Sequence, residues 1–133
     1  MTSTEATAGL LRKLPIFLAV LMLTAAPAGA QALEDCPHYA PSTLEAWIAS
    51  SDLRVTAYAY TCRMINIDGV LSQARREGIQ SSDTTTWTDT YRRTLERIRE
   101  ASAVNRRWAG PEATRNLAVL TRLEVKYRRL AEP

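Results

Sequence analysis

Residues 52–78 read DLRVTAYAYTCRMINIDGVLSQARREG and predict one long helix. Its apolar residues recur at alternating intervals of four and three, which is the spacing of a packed helical seam. This first stripe comprises Leu53, Ala57, Tyr60, Met64, Ile67, Leu71 and Ala74. A second stripe lies well over a quarter-turn away, at about 100° per residue, and comprises Tyr58, Cys62 and Ile65. A helix with two apolar sides is covered on both, so we expect this one at the centre of a small bundle.

Both ends of the central helix carry capping signals. Asp52 precedes the first apolar residue, and an aspartate there accepts hydrogen bonds from the free N–H groups of the first turn. Gly78 followed by Ile79 is typical of a left-handed stop with an apolar contact behind it. The helix is therefore predicted to begin after Asp52 and to end at Gly78.

A short helix is predicted just before the central one. Ser42 and Glu45 have the spacing of a capping box, in which the two side chains satisfy backbone N–H groups of the first turn. Residues 31–41 are expected to form an extended arm, because Pro37 and Pro41 exclude a regular helix there.

The C-terminal half predicts a helical hairpin. Its first helix begins near Asp83 or Thr86 and is amphipathic, with an arginine-rich outer face. Gly110 and Pro111 then mark a tight turn, since glycine ends helices and proline opens them. So short a turn makes the two helices antiparallel. We expect residues 42–133 to form a single all-α domain, a small bundle of three long helices plus the short N-terminal helix.

The N-terminus has the features of a secretory signal peptide. Arg12 and Lys13 precede a run of thirteen apolar or small residues, 14–26, and residues 28–30 fit the small-x-small rule for cleavage. We predict cleavage after Ala30, which implies a periplasmic or secreted protein without a stable membrane anchor. The alternative is an uncleaved anchor, but the apolar run is short for a span of about 20 residues.

Cys36 and Cys62 are the only two cysteines, and an exported protein meets oxidising conditions. A disulfide between them would tie the arm to the central helix and contribute about 3.5 kcal/mol in the chain-entropy model. The rival interpretation is a pair of free thiols in a metal or redox site. It is disfavoured because the spacing matches no CxxC unit and His38 is the only histidine. No metal and no cofactor is expected.

Charge is distributed unevenly along the chain. The net charge is +3, yet residues 31–73 hold five acids and two bases, whereas residues 74–133 hold thirteen bases and eight acids. Within the last helix, four cations recur at spacings of seven, four and three and so share one stripe, expected roughly opposite the leucines: Arg115, Arg122, Lys126 and Arg129.

This cationic stripe suits an acidic protein surface, a phosphorylated lipid or an anionic envelope polymer, and we expect the acidic protein. The alternative is a solvated face that only keeps the domain soluble. Nucleic acid is disfavoured as a partner by the export signal, and because the aromatic residues fall on the core side and form no stacking platform.

Nothing in the sequence indicates catalysis. There is no GxSxG elbow, and the acidic pairs lie in charged surroundings rather than in the apolar pockets that general acids need. Asn105 falls on an inward helix face, which we interpret as an edge position or a group satisfying the backbone. The sequence thus predicts a non-enzymatic exported binding protein acting as an inhibitor, immunity factor or envelope adaptor. The alternative function is a periplasmic holdase chaperone with conditionally exposed apolar surface. A homodimer is also open, if tryptophans are exposed.

Overall fold

The computed structural model describes residues 32–79 and 86–132, so the predicted signal peptide lies outside the described residues. The described residues contain no strand, and the all-α bundle predicted from the sequence is confirmed. The elements are a 3-10 helix (Leu33–His38), α1 (Pro41–Ile48), α2 (Leu53–Arg76), α3 (Trp87–Trp108) and α4 (Ala113–Ala131).

Helix α2 is covered on two sides, as its two apolar stripes predict. On one side Met64 packs with Ile98 of α3 and with Leu120 and Tyr127 of α4. On the other side α2 packs against the 3-10 helix and α1, in a second cluster that comprises Cys36, Leu44, Trp47, Tyr58, Ala59 and Cys62. The two clusters make α2 the common wall of a three-helix core and a smaller N-terminal core.

The predicted caps of α2 are present. The Asp52 carboxylate accepts a hydrogen bond from the Arg54 backbone N–H at 3.0 Å. Gly78 adopts a left-handed φ of 68°, and the N–H of Ile79 closes the helix by donating to the carbonyl of Ala74 at 3.0 Å. Helix α3 begins after Thr86, whose hydroxyl accepts from the N–H of Asp89 at 3.1 Å.

The arm expected to be extended instead contains the 3-10 helix, so that prediction is wrong for residues 33–38. Pro37 fits there because its fixed φ lies within the 3-10 range and only one short hydrogen bond is lost. Two long-range bonds also hold the segment on α2. The Asn66 amide donates to the Cys36 carbonyl at 2.8 Å, and the Tyr58 hydroxyl donates to the Ala32 carbonyl at 2.8 Å.

The capping box predicted at Ser42 does not form. Helix α1 begins one residue earlier, at Pro41, and no side chain caps its first turn. Proline is favoured at the first helical position because its φ is preset and its missing N–H is not needed. Glu45 instead points to α2 and pairs with Arg63 at 3.6 Å.

The turn between α3 and α4 uses its glycine differently from the prediction. Ala109, not Gly110, adopts the left-handed conformation, with a φ of 54°. Gly110 lies against the indole of Trp108, where an added Cβ would clash with the ring. Gly110 is therefore needed because the Trp108 indole packs closely against it, while the strained left-handed φ falls on Ala109.

Asn105 is fully buried, so the interpretation of it as an edge position is wrong. Its amide donates to the Thr61 hydroxyl at 3.0 Å and to the Ala101 carbonyl at 2.9 Å. Its Oδ1 accepts from the Asn116 amide at 2.9 Å. These bonds link α2, α3 and α4 at one height inside the bundle.

Candidate functional site

A groove opens between α2 and α4, because these helices contact each other less extensively than either contacts α3. Two adjoining depressions of about 480 and 390 Å³ share Lys126 and together form what we call the basic groove. Its apolar part includes Leu33, Ile65, Val119 and Leu123. Its polar lining comprises Glu34, Asp68, Ser72, Arg75, Arg76, Arg122 and Lys126.

Lys126 is tied down on the floor of this groove. Its ammonium donates to Asp68 Oδ1 at 2.6 Å and to Ser72 Oγ at 2.7 Å. Lys126 directly precedes the buried Tyr127, and one residue turns a helix by only about 100°. The predicted stripe therefore runs along the flank of α4 that faces α2, and not opposite the leucines. Because Asp68 compensates its charge, Lys126 contributes less to anion binding than the sequence suggested.

Tyr127 contacts the Asp68 carboxylate from the interior of the bundle. Its side chain is 1% exposed, and its hydroxyl donates to Asp68 Oδ1 at 2.8 Å. Burial raises the pKa of Tyr127 well above its ordinary value, and the hydrogen bond to Asp68 raises it further. The hydroxyl therefore stays protonated at neutral pH and keeps donating to Asp68, which fixes the position of the Lys126 ammonium.

The other members of the predicted stripe occupy different settings. Arg122 is exposed and lines the groove. Arg129 is exposed further along α4 and is not part of the groove lining. Arg115 is exposed near the start of α4 and lies close enough to Tyr58 to act on its hydroxyl electrostatically.

Two further cations, Arg75 and Arg76, were missed from the sequence. They are exposed in the last turn of α2 and line the groove next to Lys126. Arg76 also donates to the side-chain oxygen of Gln73 at 2.7 Å. A basic last turn is a common helix-capping pattern, so the sequence offered no reason to group these residues with a distant helix.

Three side chains capable of acid–base chemistry are each paired with a cation or exposed. Glu45 pairs with Arg63, Asp68 bonds with Lys126, and His38 lies exposed on the 3-10 helix. Within the two described ranges, no three histidine, cysteine or acidic side chains cluster as metal ligands.

The predicted disulfide is present. Cys36 and Cys62 are bonded, with a Cα–Cα distance of 4.8 Å, and both side chains are fully buried. The bond lies beside the groove wall, because Leu33 and Glu34 of the same 3-10 helix line the groove.

The three tryptophans do not form an exposed patch. Trp47 is 3% exposed in the N-terminal core. Trp87 and Trp108 are half-buried, and the Trp87 indole N–H donates to the carbonyl of Ile79 at 3.2 Å. The tryptophans therefore provide no exposed surface of the kind that the homodimer hypothesis required.

None of the helices in residues 32–79 and 86–132 combines the length and apolar character needed to cross a bilayer. No protein-family model, curated protein or solved structure matches this chain.

Proposed function

We propose that this chain is an exported, non-enzymatic binding protein that holds an acidic segment of another protein in the basic groove. The observation that carries the proposal is the set of exposed arginines that line the groove from two helices. Arg75 and Arg76 come from α2, and Arg122 comes from α4.

The chemistry of the groove defines the partner. Arginine guanidinium groups bind carboxylates with paired, charge-assisted hydrogen bonds. The apolar lining from Leu33, Val119 and Leu123 provides a place for an apolar side chain between the carboxylates. We therefore expect a segment that alternates acidic and apolar residues, rather than a uniformly charged polymer.

The charge around the groove favours capture of such a segment. Residues 86–132 hold eleven bases and six acids, so the α3–α4 hairpin carries a positive field. A field of this sign steers acidic partners toward the protein and makes association sensitive to salt.

Export of the chain is the second part of the proposal. The predicted signal peptide and the buried disulfide both support it, because disulfides persist in oxidising compartments and are rare in the cytosol. Inhibitor, immunity factor and envelope adaptor are all roles in which such a protein binds another protein.

A peptide-binding measurement tests the groove directly. A labelled peptide of about 12 residues that alternates glutamate and leucine is titrated with the disulfide-bonded protein, and fluorescence anisotropy is recorded. The double variant Arg75→Glu/Arg122→Glu should weaken binding at least about tenfold. The matched control, Arg93→Glu/Arg97→Glu, makes the same change in net charge on exposed positions of α3 outside the groove.

The control variant should lose only the long-range part of the attraction, about two- to threefold. Equal losses in the two variants would mean that the arginines act only through net charge, and the groove would not be the binding site. The natural partner is then sought in envelope extracts as the protein retained by the control variant and lost by the groove variant.

A second candidate function is a holdase chaperone, favoured by apolar exposure on α2 and just after its C-terminal end. Val70 is 69% exposed and Ile79 is 52% exposed, and exposed apolar surface is what a holdase uses to bind unfolded clients. Under this alternative, the protein would suppress aggregation of unrelated denatured proteins, and Val70→Glu would abolish that activity while the groove variant would not.

A further inference from the structure

The basic groove also has a charge order along its length. Its lining residues on α2 run from Ile65 to Arg76, which corresponds to about 16 Å at the rise of an α-helix. Because an extended chain advances about 3.3 Å per residue, a groove of this length holds about five residues of a bound segment. Its two ends can therefore contact different residues of the same segment.

One end of the groove is cationic. Arg75 and Arg76 line the depression beside Lys126, and the described lining of that depression contains no acidic residue. The Arg75 guanidinium lies 5.9 Å from the centroid of the Tyr91 ring, and the attraction between a cation and an aromatic face keeps it at this end. Carboxylates of a ligand are therefore favoured here.

The other end of the groove carries a carboxylate, that of Glu34. This residue is exposed on the 3-10 helix and lines the same depression as Arg122, but it does not line the depression that contains Arg75. The 3-10 helix lies against the first half of α2, where the Tyr58 hydroxyl donates to the Ala32 carbonyl at 2.8 Å. Glu34 and Arg75 thus mark opposite ends of the groove.

Glu34 is the carboxylate of the groove lining that a ligand can engage. The other one, Asp68, already accepts hydrogen bonds from Lys126 at 2.6 Å and from Tyr127 at 2.8 Å. Glu34 takes part in none of the ion pairs in the part of the chain that the structure describes, although Arg122 and Lys126 line the same depression. Its charge is therefore available to a cation brought by the partner.

We propose that Glu34 determines the charge order of the bound segment, so that the basic groove selects a segment with a basic residue at one end and acidic residues toward the other. This inference rests on the proposed function, because it concerns the same groove. Acidic residues of the segment bind at Arg75 and Arg122, apolar residues contact the apolar lining between them, and the terminal basic residue pairs with Glu34.

A segment that is acidic over its whole length fits the groove less well. It would place a carboxylate against Glu34, and like charges at short range repel each other. Exposed ion pairs are weak in water, so the preference for a basic residue at this end should be about three- to fivefold rather than absolute.

Three labelled, terminally blocked peptides of about seven residues, matched to the length of the groove, test this charge order. All three alternate acidic and apolar positions with leucine at every apolar position, and one lysine replaces the first, a central or the last glutamate. They have the same composition and net charge, and the two terminal placements cover both directions of the chain. Fluorescence anisotropy with the disulfide-bonded protein gives the three dissociation constants.

The wild type should bind at least one terminal-lysine peptide about three- to fivefold more tightly than the central-lysine peptide. Glu34→Lys should abolish this preference. The matched control is Asp35→Lys, which makes the same change in charge at the next residue, also exposed but outside the groove lining. The control should keep the preference.

A preference that survives Glu34→Lys would overturn the proposal, as would its loss in both variants. If lysine position has no effect in the wild type while Arg75→Glu/Arg122→Glu still weakens binding of the glutamate–leucine peptide, the charge order is wrong and the proposed function stands. If that double variant binds the glutamate–leucine peptide as its own control does, the proposed function fails and this inference fails with it.

Discussion

Asn116 donates its side-chain amide to Oδ1 of Asn105 at 2.9 Å, and both residues are buried in the interior of the bundle. The pair lies between α3 and α4, and Asn105 extends the link to α2 through the Thr61 hydroxyl at 3.0 Å. Apolar side chains can pack when the helices are shifted along their axes relative to one another. The two amides form their hydrogen bond at only one such relative position. We infer that this pair fixes the register of the three helices.

The first prediction concerns this polar pair. Asn105→Leu should reduce the free energy of unfolding by about 2 to 3 kcal/mol, because it removes the acceptor of the buried Asn116 amide. Asn105→Leu/Asn116→Leu should recover part of that loss, since no amide is then left unpaired. Urea denaturation of Asn105→Leu, Asn116→Leu and the double variant measures the coupling. Strictly additive losses would contradict a linked pair.

The second prediction concerns the disulfide. Replacing both cysteines, Cys36→Ala and Cys62→Ala, should lower the free energy of unfolding by about 3.5 kcal/mol, because the unfolded chain gains conformational entropy without the cross-link. The core around Ile98 and Leu120 contains neither cysteine, so helical circular dichroism should largely persist. Limited proteolysis should then cut within residues 33–48 first. Cleavage that begins instead in α3 or α4 would show that the two cores do not separate in this way.

The third prediction concerns Tyr127 and pH. In the unfolded chain a tyrosine loses its proton near pH 10, whereas burial and the hydrogen bond to Asp68 raise the pKa of Tyr127 in the fold. The folded state therefore binds more protons above pH 10, and its stability falls as the pH rises further. Below pH 10 this hydroxyl makes its full contribution to the free energy of unfolding.

Tyr127→Phe isolates that effect. At pH 7 the variant should be about 1.5 kcal/mol less stable, because Asp68 loses a hydrogen bond. Above pH 10 the difference between wild type and variant should shrink by about 1 kcal/mol per pH unit. Denaturant titrations at pH 7, 10 and 11 give both quantities. A difference that stays constant with pH would mean that Tyr127 ionises equally well in the folded protein.

The fourth prediction compares two neighbouring residues in the α3–α4 turn. Ala109→Gly should raise the free energy of unfolding by about 0.5 to 1 kcal/mol, because glycine adopts the left-handed conformation without strain. Gly110→Ala should lower it by at least about 1 kcal/mol, because the new Cβ displaces the Trp108 indole. Thermal melts of both variants, followed by circular dichroism, check the signs. If Ala109→Gly destabilised the protein and Gly110→Ala stabilised it, the roles assigned to these two residues would be wrong.

Sequence reasoning succeeded where residues close along the chain determine the structure. The two apolar stripes of α2 and the caps at Asp52 and Gly78 depend on local spacing, and the Cys36–Cys62 bond follows from there being two cysteines. It failed where two local signals compete. Pro41 starts α1 one residue ahead of the serine that fits a capping box, and nothing in the pattern ranks the two signals.

The basic groove was beyond prediction for a different reason. Arg75 and Lys126 line the same depression only because α2 and α4 contact each other little where both pack on α3, and neither helix alone indicates how far the two are in contact. The same holds for Lys126 and Asp68, whose ion pair depends on the heights at which the two helices pack. Spacing placed Lys126 on a stripe with Arg122 and Arg129, but it could not reveal that a carboxylate faces it.

If the basic groove binds an acidic segment as proposed, the position of the 3-10 helix would make that binding depend on the disulfide. Leu33 and Glu34, which form one wall of the groove, belong to the segment that the Cys36–Cys62 bond fastens to α2. A reduced copy would hold this wall only through packing and the two hydrogen bonds from Asn66 and Tyr58, so the wall would be less firmly fixed. Under the proposed export, the groove would therefore reach its full binding strength only after the chain has entered an oxidising compartment.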